Sequence, residues 1–247
     1  MLGRASPCCY WQSVRGVFLL RMSAPKPLAD EQFAASLRGF GPVGLLAILL
    51  ILSGNLLFAP LSALLVLAWS HRSRTPWHEI GYVQPGHWWR DALLGIAGGM
   101  ALRLLMQVIV MPLLGHDSIN RQFHFLAGNT AALLGVALLL LINSGFGEET
   151  LFRGYLFERL RKLFGNTRIA TIAIVLLTSA FFGLAHYPEQ GWMGVKQSTM
   201  VGLVFGTTFA VTGRIWPVMW AHAAFNLLAV AAIYLDLELK IGHLVFR

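Results

Sequence analysis

Charged residues and cysteines are both scarce in this chain, and each scarcity excludes a class of protein. Asp, Glu, Lys and Arg make up 12% of the 247 residues, whereas a soluble domain usually carries about 25%. Together with a hydrophobic content of 56%, this indicates a protein whose solvent is lipid. The two cysteines are the adjacent pair Cys8 and Cys9, so neither a disulfide framework nor a cysteine-based metal site or nucleophile is expected.

The net charge of +8 does not indicate a nucleic-acid-binding protein. The basic residues cluster in loops between apolar segments, which is the positive-inside pattern of membrane proteins. One such loop, at 153–168, holds five of them and is expected to be cytoplasmic: Arg153, Arg159, Arg161, Lys162 and Arg168. We therefore predict an integral multi-pass membrane protein with the lipid bilayer as a partner and no nucleic acid. The small size favours a bacterial cytoplasmic membrane.

The chain divides into a tail and one membrane domain. Residues 1–35 contain only a short apolar run, too short for a signal-peptide core or a span, so this tail is expected to be poorly ordered, with Met22 as an alternative start of translation. Residues 36–240 are predicted to form a single domain. Six apolar segments lie within it, at 41–69, 92–115, 129–147, 169–187, 193–212 and 215–235.

These segments predict an all-α fold, a polytopic membrane helix bundle of about six transmembrane helices. The first segment contains Pro60 and is long enough for one kinked span but short for two. Two glycine pairs, at 95 and 99 and at 202 and 206, have the spacing that lets membrane helices approach closely.

Polar residues inside such segments indicate function, because ionisable groups at membrane depth are costly. The first motif reads EETLFR at 148–153. Residues four apart share a helix face, so Glu149 is expected to pair with Arg153, and Glu148, turned about 100° away, is free to face a cavity. A solvated cluster at a helix end is the alternative interpretation of this motif.

Two further motifs read FGLAH at 182–186 and HAAFN at 222–226. His186 ends its apolar segment, where an interfacial histidine beside a turn is the simpler interpretation. His222 and Asn226 share one helix face and offer hydrogen bonds to a developing negative charge; an interhelical polar contact is the alternative. Arg103, in the middle of the second segment, is expected to face the bundle interior.

The three motifs, in this order and on separate apolar segments over residues 148–226, resemble the CPBP family, the intramembrane proteases of CAAX-box processing and bacteriocin processing, also called Abi proteins. The resemblance implies a helical membrane fold, often of about eight helices, with a conical cavity that reaches the active site. It implies that Glu148 and His186 activate the attacking water. It further implies that His222 and Asn226 form an oxyanion site, with Glu149 and Arg153 as supporting residues.

We therefore expect an intramembrane CAAX-type endopeptidase that acts on a peptide or protein substrate at the membrane. The four functional side chains should line one cavity, near the cytoplasmic side because Glu148 adjoins the most basic loop. No metal or other cofactor is favoured. Zinc held by Glu148, His186 and His222 is the alternative, although no His-Glu-x-x-His helix is present.

Two non-proteolytic interpretations are weaker. A membrane immunity or partner-binding protein of the same fold would have no need of four polar groups on three helices. A small transporter using Glu148 and His186 as a proton relay would be expected to show two corresponding halves, and no such symmetry is visible in the sequence.

Overall fold

The computed structural model describes residues 29–115 and 119–245, and the regular secondary structure within those ranges is helical. The predicted all-α bundle is thereby confirmed. In chain order the helices are α1 (Ala29–Arg38), α2 (Pro42–Leu57), α3 (Ala59–Ser73), α4 (Trp88–Leu113), α5 (Thr130–Phe164), α6 (Arg168–Ala185), α7 (Tyr187–Thr212), α8 (Trp216–Tyr234) and α9 (Glu238–Gly242). Residues 1–28 of the predicted tail, with Cys8, Cys9 and Met22, lie outside the described residues.

Four of the described helices, α4, α5, α6 and α8, are long and apolar enough to cross a membrane. A fifth span results if α1 and α2, which are bent by 58° at their junction, are counted together. The chain is therefore a polytopic membrane protein with four or five spans in its described part, against about six expected. One reason is α7, which is not among these helices and whose polar residues include Glu189, Lys196 and Gln197.

The first apolar segment folds back on itself, so the prediction of one kinked span there is wrong. Phe58 is extended, with φ −169° and ψ 116°, and α3 begins directly after it. Pro60, in the first turn of α3, has no backbone N–H and cannot continue α2. The arms run back to the same end of the bundle, where the Arg38 guanidinium donates to the Ser73 carbonyl over 2.5 Å.

The glycine pairs bring helices together as predicted. A side-chain carbon on Gly99 would lie 2.0 Å from the Ala221 carbonyl oxygen, so only glycine lets α4 approach α8 this closely. A side-chain carbon on Gly202 of α7 would lie 3.1 Å from the Ser179 Cα on α6, a close but less extreme approach. These two contacts fix α4 against α8 and α6 against α7, and α8 and the end of α6 carry predicted residues of the site.

The bundle has two chemically different ends. At one, the segments 72–90, 156–168 and 213–216 meet: Lys162 pairs with Glu79 at 3.5 Å, and the Ile215 amide donates to the Gly81 carbonyl over 2.9 Å. We call this the basic end. At the other, the far end, the connection before α5 meets the α6–α7 turn and α9. There Gln122 donates to Glu189 over 3.3 Å.

Helix α5 departs from α-helical geometry where it carries the first motif. Residues Leu141–Glu148 and Thr150–Tyr155 form π-helical turns, a rare conformation that occurs frequently at functional sites. The two glutamates therefore lie on a widened part of a 35-residue helix, close to its middle.

Candidate active site

All four residues predicted to be functional line one cavity of about 140 Å³ inside the bundle: Glu148, His186, His222 and Asn226. They come from α5, the end of α6, and α8. Polar residues that only lie at the membrane interface, on three helices far apart in sequence, would have no reason to meet. Their convergence is the arrangement expected of a chemical site.

Glu148 has one oxygen engaged and one free. The Asn143 amide donates to its Oε1 over 3.1 Å, whereas the buried Oε2 has no hydrogen-bond partner among the described residues. Only 12% of the side chain is exposed. A buried carboxylate oxygen without a donor is costly, so Oε2 is placed to bind a water or a substrate group. Asn143, which the sequence reasoning missed, orients this carboxylate from one π-helical turn away.

Glu149 is not among the residues that line the cavity, and it pairs with Arg153, as predicted. Its Oε1 accepts from the guanidinium over 2.8 Å, and both side chains are almost fully buried. Arg153 also stacks on the rings of Phe182, at 4.6 Å, and Phe205, at 5.6 Å. A buried ion pair of this kind holds its residues firmly in place once folded, because neither charge can be left alone.

The sequence did not predict that Glu149 also binds His222. Its Oε1 lies 2.6 Å from His222 Nδ1, and the free Oε2 of Glu148 lies 3.8 Å from His222 Nε2. The two glutamates therefore lie on either side of one imidazole. Because a carboxylate accepts, Nδ1 carries the hydrogen and Nε2 faces the cavity. From there Nε2 accepts a proton in the neutral ring and donates one after protonation.

His186 is oriented by its own helix. Its Nδ1 lies 2.8 Å from the Phe182 carbonyl oxygen, which can only accept, so in the neutral ring Nε2 is the acceptor. The Phe182 ring contacts both imidazoles edge-on, with centroid distances of 4.7 Å to His186 and 5.8 Å to His222. Phe182 thus sets the positions of both rings, which accounts for the phenylalanine in the second motif.

Asn226 lies one turn beyond His222 on the same face of α8, as predicted, and lines the same cavity. Helix α8 begins with a proline in its first turn, a position where the missing N–H costs nothing. The rigid contact of α8 with α4 then fixes the direction in which His222 and Asn226 point.

The residues of the zinc alternative do not form a ligand set in this structure. Within the described ranges, no three His, Cys, Asp or Glu side chains lie close enough together to hold a metal ion. Glu148 and His222 approach each other, but His186 does not complete a three-ligand group with them.

The cavity opens toward the far end, so the prediction that it lies near the most basic loop is wrong. Asn120, Phe123 and Glu189 of the far end line it, and none of its described lining residues comes from the basic end. The reason is distance along the helix: Glu148 precedes Phe164 by 16 residues, or about 24 Å. Adjacency in sequence to a basic loop did not mean adjacency in space.

A partly buried tyrosine contacts the site helix from the basic end. The Tyr82 hydroxyl lies 2.7 Å from Thr150 Oγ1, whose own hydrogen goes to the Phe146 carbonyl, so the phenol is the donor. Burial raises the pKa of Tyr82 to about 12, which keeps the phenol neutral and able to donate. The turn before α4 is thereby fixed to the residue next to Glu149.

Comparisons with known proteins match the part of the chain that holds the site. The family model of the type II CAAX prenyl endopeptidase Rce1-like proteins matches residues 130–228, the stretch that holds all three motifs. The chain is 30% identical over 145 residues to the uncharacterized protein YyaK of Bacillus subtilis (strain 168), a match that covers 56% of this chain and 46% of that protein. The chain thus spans about half the length of this relative.

No solved structure matches the chain significantly. The resemblance predicted from the motifs is nevertheless confirmed by the family match, and the protein is an integral membrane protein. Residues 130–228 match the Rce1-like model of the type II CAAX prenyl endopeptidases, and they lie within a helical fold that has four or five candidate membrane spans in its described part.

Proposed function

We propose that this protein is an intramembrane endopeptidase that hydrolyses a peptide bond in a substrate held at the membrane. One observation carries the proposal: Glu148 Oε2 is buried without a partner, 3.8 Å from His222 Nε2, in a cavity that His186 and Asn226 also line. In a protein that only binds a partner, this unsatisfied carboxylate oxygen would destabilise the fold without serving any function.

The first step is the activation of water. Glu148 Oε2 accepts a proton from a water molecule, and the Nε2 of His186 accepts a hydrogen bond from the same water. The water oxygen then attacks the carbonyl carbon of the peptide bond, and a tetrahedral intermediate with a negative oxygen forms. General base catalysis by such a positioned carboxylate contributes about 10²–10⁴-fold.

The second step is the stabilisation of that oxyanion and its collapse. Asn226 donates from its amide. His222 enters the reaction with a hydrogen on each ring nitrogen and keeps both: Nδ1 donates to Glu149, and Nε2 donates to the oxyanion. The C–N bond then breaks, the carbonyl reforms, and Glu148 returns its proton to the leaving amine. Donors aimed at an oxyanion in a water-poor site are usually the largest single contribution to the rate.

We propose that this chemistry is independent of metal, with zinc held by Glu148, His186 and His222 as the alternative. Elemental analysis of active purified protein distinguishes the two. Stoichiometric zinc that is lost together with activity in His186→Ala would overturn the metal-independent mechanism, because those residues would then be ligands.

The direct test is Glu148→Gln. Glutamine keeps the shape and the hydrogen bond to Asn143 but cannot take a proton, so we expect cleavage to fall by at least about 10²-fold with little change in thermal stability. Purified protein in detergent micelles would be incubated with a library of apolar peptides, and products would be read by mass spectrometry.

The matched control is Glu79→Gln at the basic end, which should cleave at the wild-type rate. A Glu148→Gln protein that is as active as the wild type would overturn the proposed function. A wild-type protein that cleaves no peptide, in this library or in membranes, would favour the non-catalytic alternative.

A further inference from the structure

A second, larger cavity joins the active-site cavity at the far end. It has a volume of about 380 Å³ and is mainly polar in its lining. The two cavities adjoin, because they share five lining residues: Arg103, Asn120, Glu189, Gln190 and Gln197. We call the larger part the antechamber. A polar space of this size next to a hydrolytic site is large enough for several residues of a peptide.

Arg103 is the cation within this shared lining. It lies in the middle of α4, is only 9% exposed, and its Nε has no hydrogen-bond partner in the described part of the chain. The guanidinium lies over the Phe225 ring at 5.4 Å, which fixes its plane. A buried arginine is costly, and an unused donor in a fixed guanidinium adds to that cost.

Glu238 attracts Arg103 electrostatically but does not satisfy it. The oxygens of Glu238 face other groups: Oε1 accepts from the Asn120 amide over 2.9 Å, and Oε2 lies 3.7 Å from His124 Nδ1. Glu238 therefore balances part of the charge and leaves the Nε donor without a partner among the described residues. An arginine fork with free donors matches a carboxylate, which it binds through two parallel hydrogen bonds.

We propose that Arg103 binds a carboxylate of the substrate peptide, held in the antechamber while the bond to be cleaved lies at Glu148. This inference rests on the proposed function, since it makes the ligand part of the chain being hydrolysed. Two sources supply this chemistry in a peptide, namely the C-terminal carboxylate and an Asp or Glu side chain. Phe225 connects the two regions, because it stacks on Arg103 and lies one turn from His222 on α8.

The experiment measures binding separately from cleavage. In the Glu148→Gln protein, fluorescence anisotropy would compare two labelled apolar peptides of identical sequence, one ending in a carboxylate and one in a carboxamide. A second pair, both amidated, would carry Glu or Gln at one interior position. We expect one member with a carboxylate to bind on the order of tenfold more tightly than its neutral partner, since a hydrogen-bonded charge contributes that much.

In the Arg103→Gln protein, the difference in affinity between the charged and the neutral peptide of the pair should disappear. The affinity for the neutral peptides should be unchanged. Arg90→Gln, which removes the same charge from an exposed position on α4, should preserve the difference. If Arg103→Gln does not fold, Arg103→Lys keeps the charge without the fork and should reduce the discrimination. A discrimination that is undiminished in the folded Arg103 variants, or that is absent with both peptide pairs, would overturn the proposal.

The outcomes separate this inference from the proposed function. Carboxylate-dependent binding in a wild-type protein that cleaves nothing would support the role of Arg103 and contradict the protease. Cleavage that depends on Glu148 but not on Arg103 or on the carboxylate would support the protease and contradict the role of Arg103. Preference within the first pair assigns the terminal carboxylate, and preference within the second assigns a side chain.

Discussion

One carboxylate oxygen of Glu149 serves two partners, the Arg153 guanidinium at 2.8 Å and the His222 imidazole at 2.6 Å. The ion pair is thus part of the support of the site as well as of the fold. Because the charges of Glu149 and Arg153 are both buried, removing either leaves the other uncompensated.

Arg153→Ala should therefore lower the free energy of unfolding by about 3–5 kcal/mol and lower activity as well. The variant leaves Glu149 without its cation and opens a space between the rings of Phe182 and Phe205. Thermal unfolding in detergent measures the first effect. Arg72→Ala, at an exposed position, should change stability by no more than about 0.5 kcal/mol. Equal stability of Arg153→Ala and wild type would refute the structural role.

Asn226→Ala should slow cleavage by about 10²–10³-fold, as the loss of one oxyanion donor does, with substrate affinity nearly unchanged. Asn226→Asp should be at least as slow, because it directs a negative group at the oxyanion. Steady-state kinetics separates kcat from KM. Asn166→Ala, in the exposed connection between α5 and α6, provides the control, and a loss confined to KM would instead assign Asn226 to substrate binding.

Among contacts between individual site residues, the sequence predicted those within one helix but not the one between helices. Glu149 and Arg153 are four residues apart on one helix, so helical periodicity alone places them together. The contact between Glu149 and His222 joins residues 73 positions apart and depends on how α8 packs against α5. No local pattern carries that information, and the same holds for Asn143, whose amide points at Glu148.

Among the helices, α4 and α8 approach each other so closely that glycine is required at the contact. Gly99→Ala places a methyl group against the Ala221 carbonyl, and α8 is the helix that carries His222 and Asn226. We expect a loss of about 1–3 kcal/mol from this overpacking, accompanied by reduced activity. Thermal unfolding and peptide cleavage would be measured on the same preparation.

Gly98→Ala is the matched control, one residue away on the same helix with nothing within 4 Å of the added carbon. It should be neutral or stabilise by up to about 1 kcal/mol, because alanine is the better helix former. Similar destabilisation by both substitutions would show that α4 is sensitive at this depth for some reason other than contact with α8.

Two features of the helices could not be predicted from composition or from the periodicity of hydrophobic residues. The segment at 41–69 is uniformly apolar, and a hairpin and a kinked span have the same hydropathy; Phe58 and Pro60 decide between them through backbone geometry. The π-helical turns around Glu149 likewise leave no compositional trace. The close approach at Gly95 and Gly99 was predictable because it depends on residue size and spacing alone.

For the whole molecule, the position of the cavity relative to the two ends decides from which side a substrate enters. The basic end should be cytoplasmic by the positive-inside rule, so the antechamber should open on the opposite side of the membrane. Single cysteines at Phe125→Cys, at the far end, and at Asn166→Cys, at the basic end, would be made in a variant in which Cys8 and Cys9 are replaced by serine. Both positions are exposed.

In intact bacterial cells a membrane-impermeant thiol reagent should label Phe125→Cys, whereas Asn166→Cys should react only after the cells are opened. The reverse pattern would place the antechamber in the cytoplasm and would mean that the basic loops do not determine the orientation. Labelling of both positions in intact cells would indicate that the expressed protein does not insert in a single orientation.

The hairpin of α2 and α3 brings the surrounding lipid close to the site. Its arms of 16 and 15 residues reach about 24 Å, less than the hydrocarbon thickness of about 30 Å, and Leu56 and Leu57 at its tip are 86% and 80% exposed. The tip is therefore covered by acyl chains rather than by water. Ala59, two residues beyond Leu57, packs on Gly147, the neighbour of Glu148, so the lipid-covered tip and the proposed base lie on adjoining backbone.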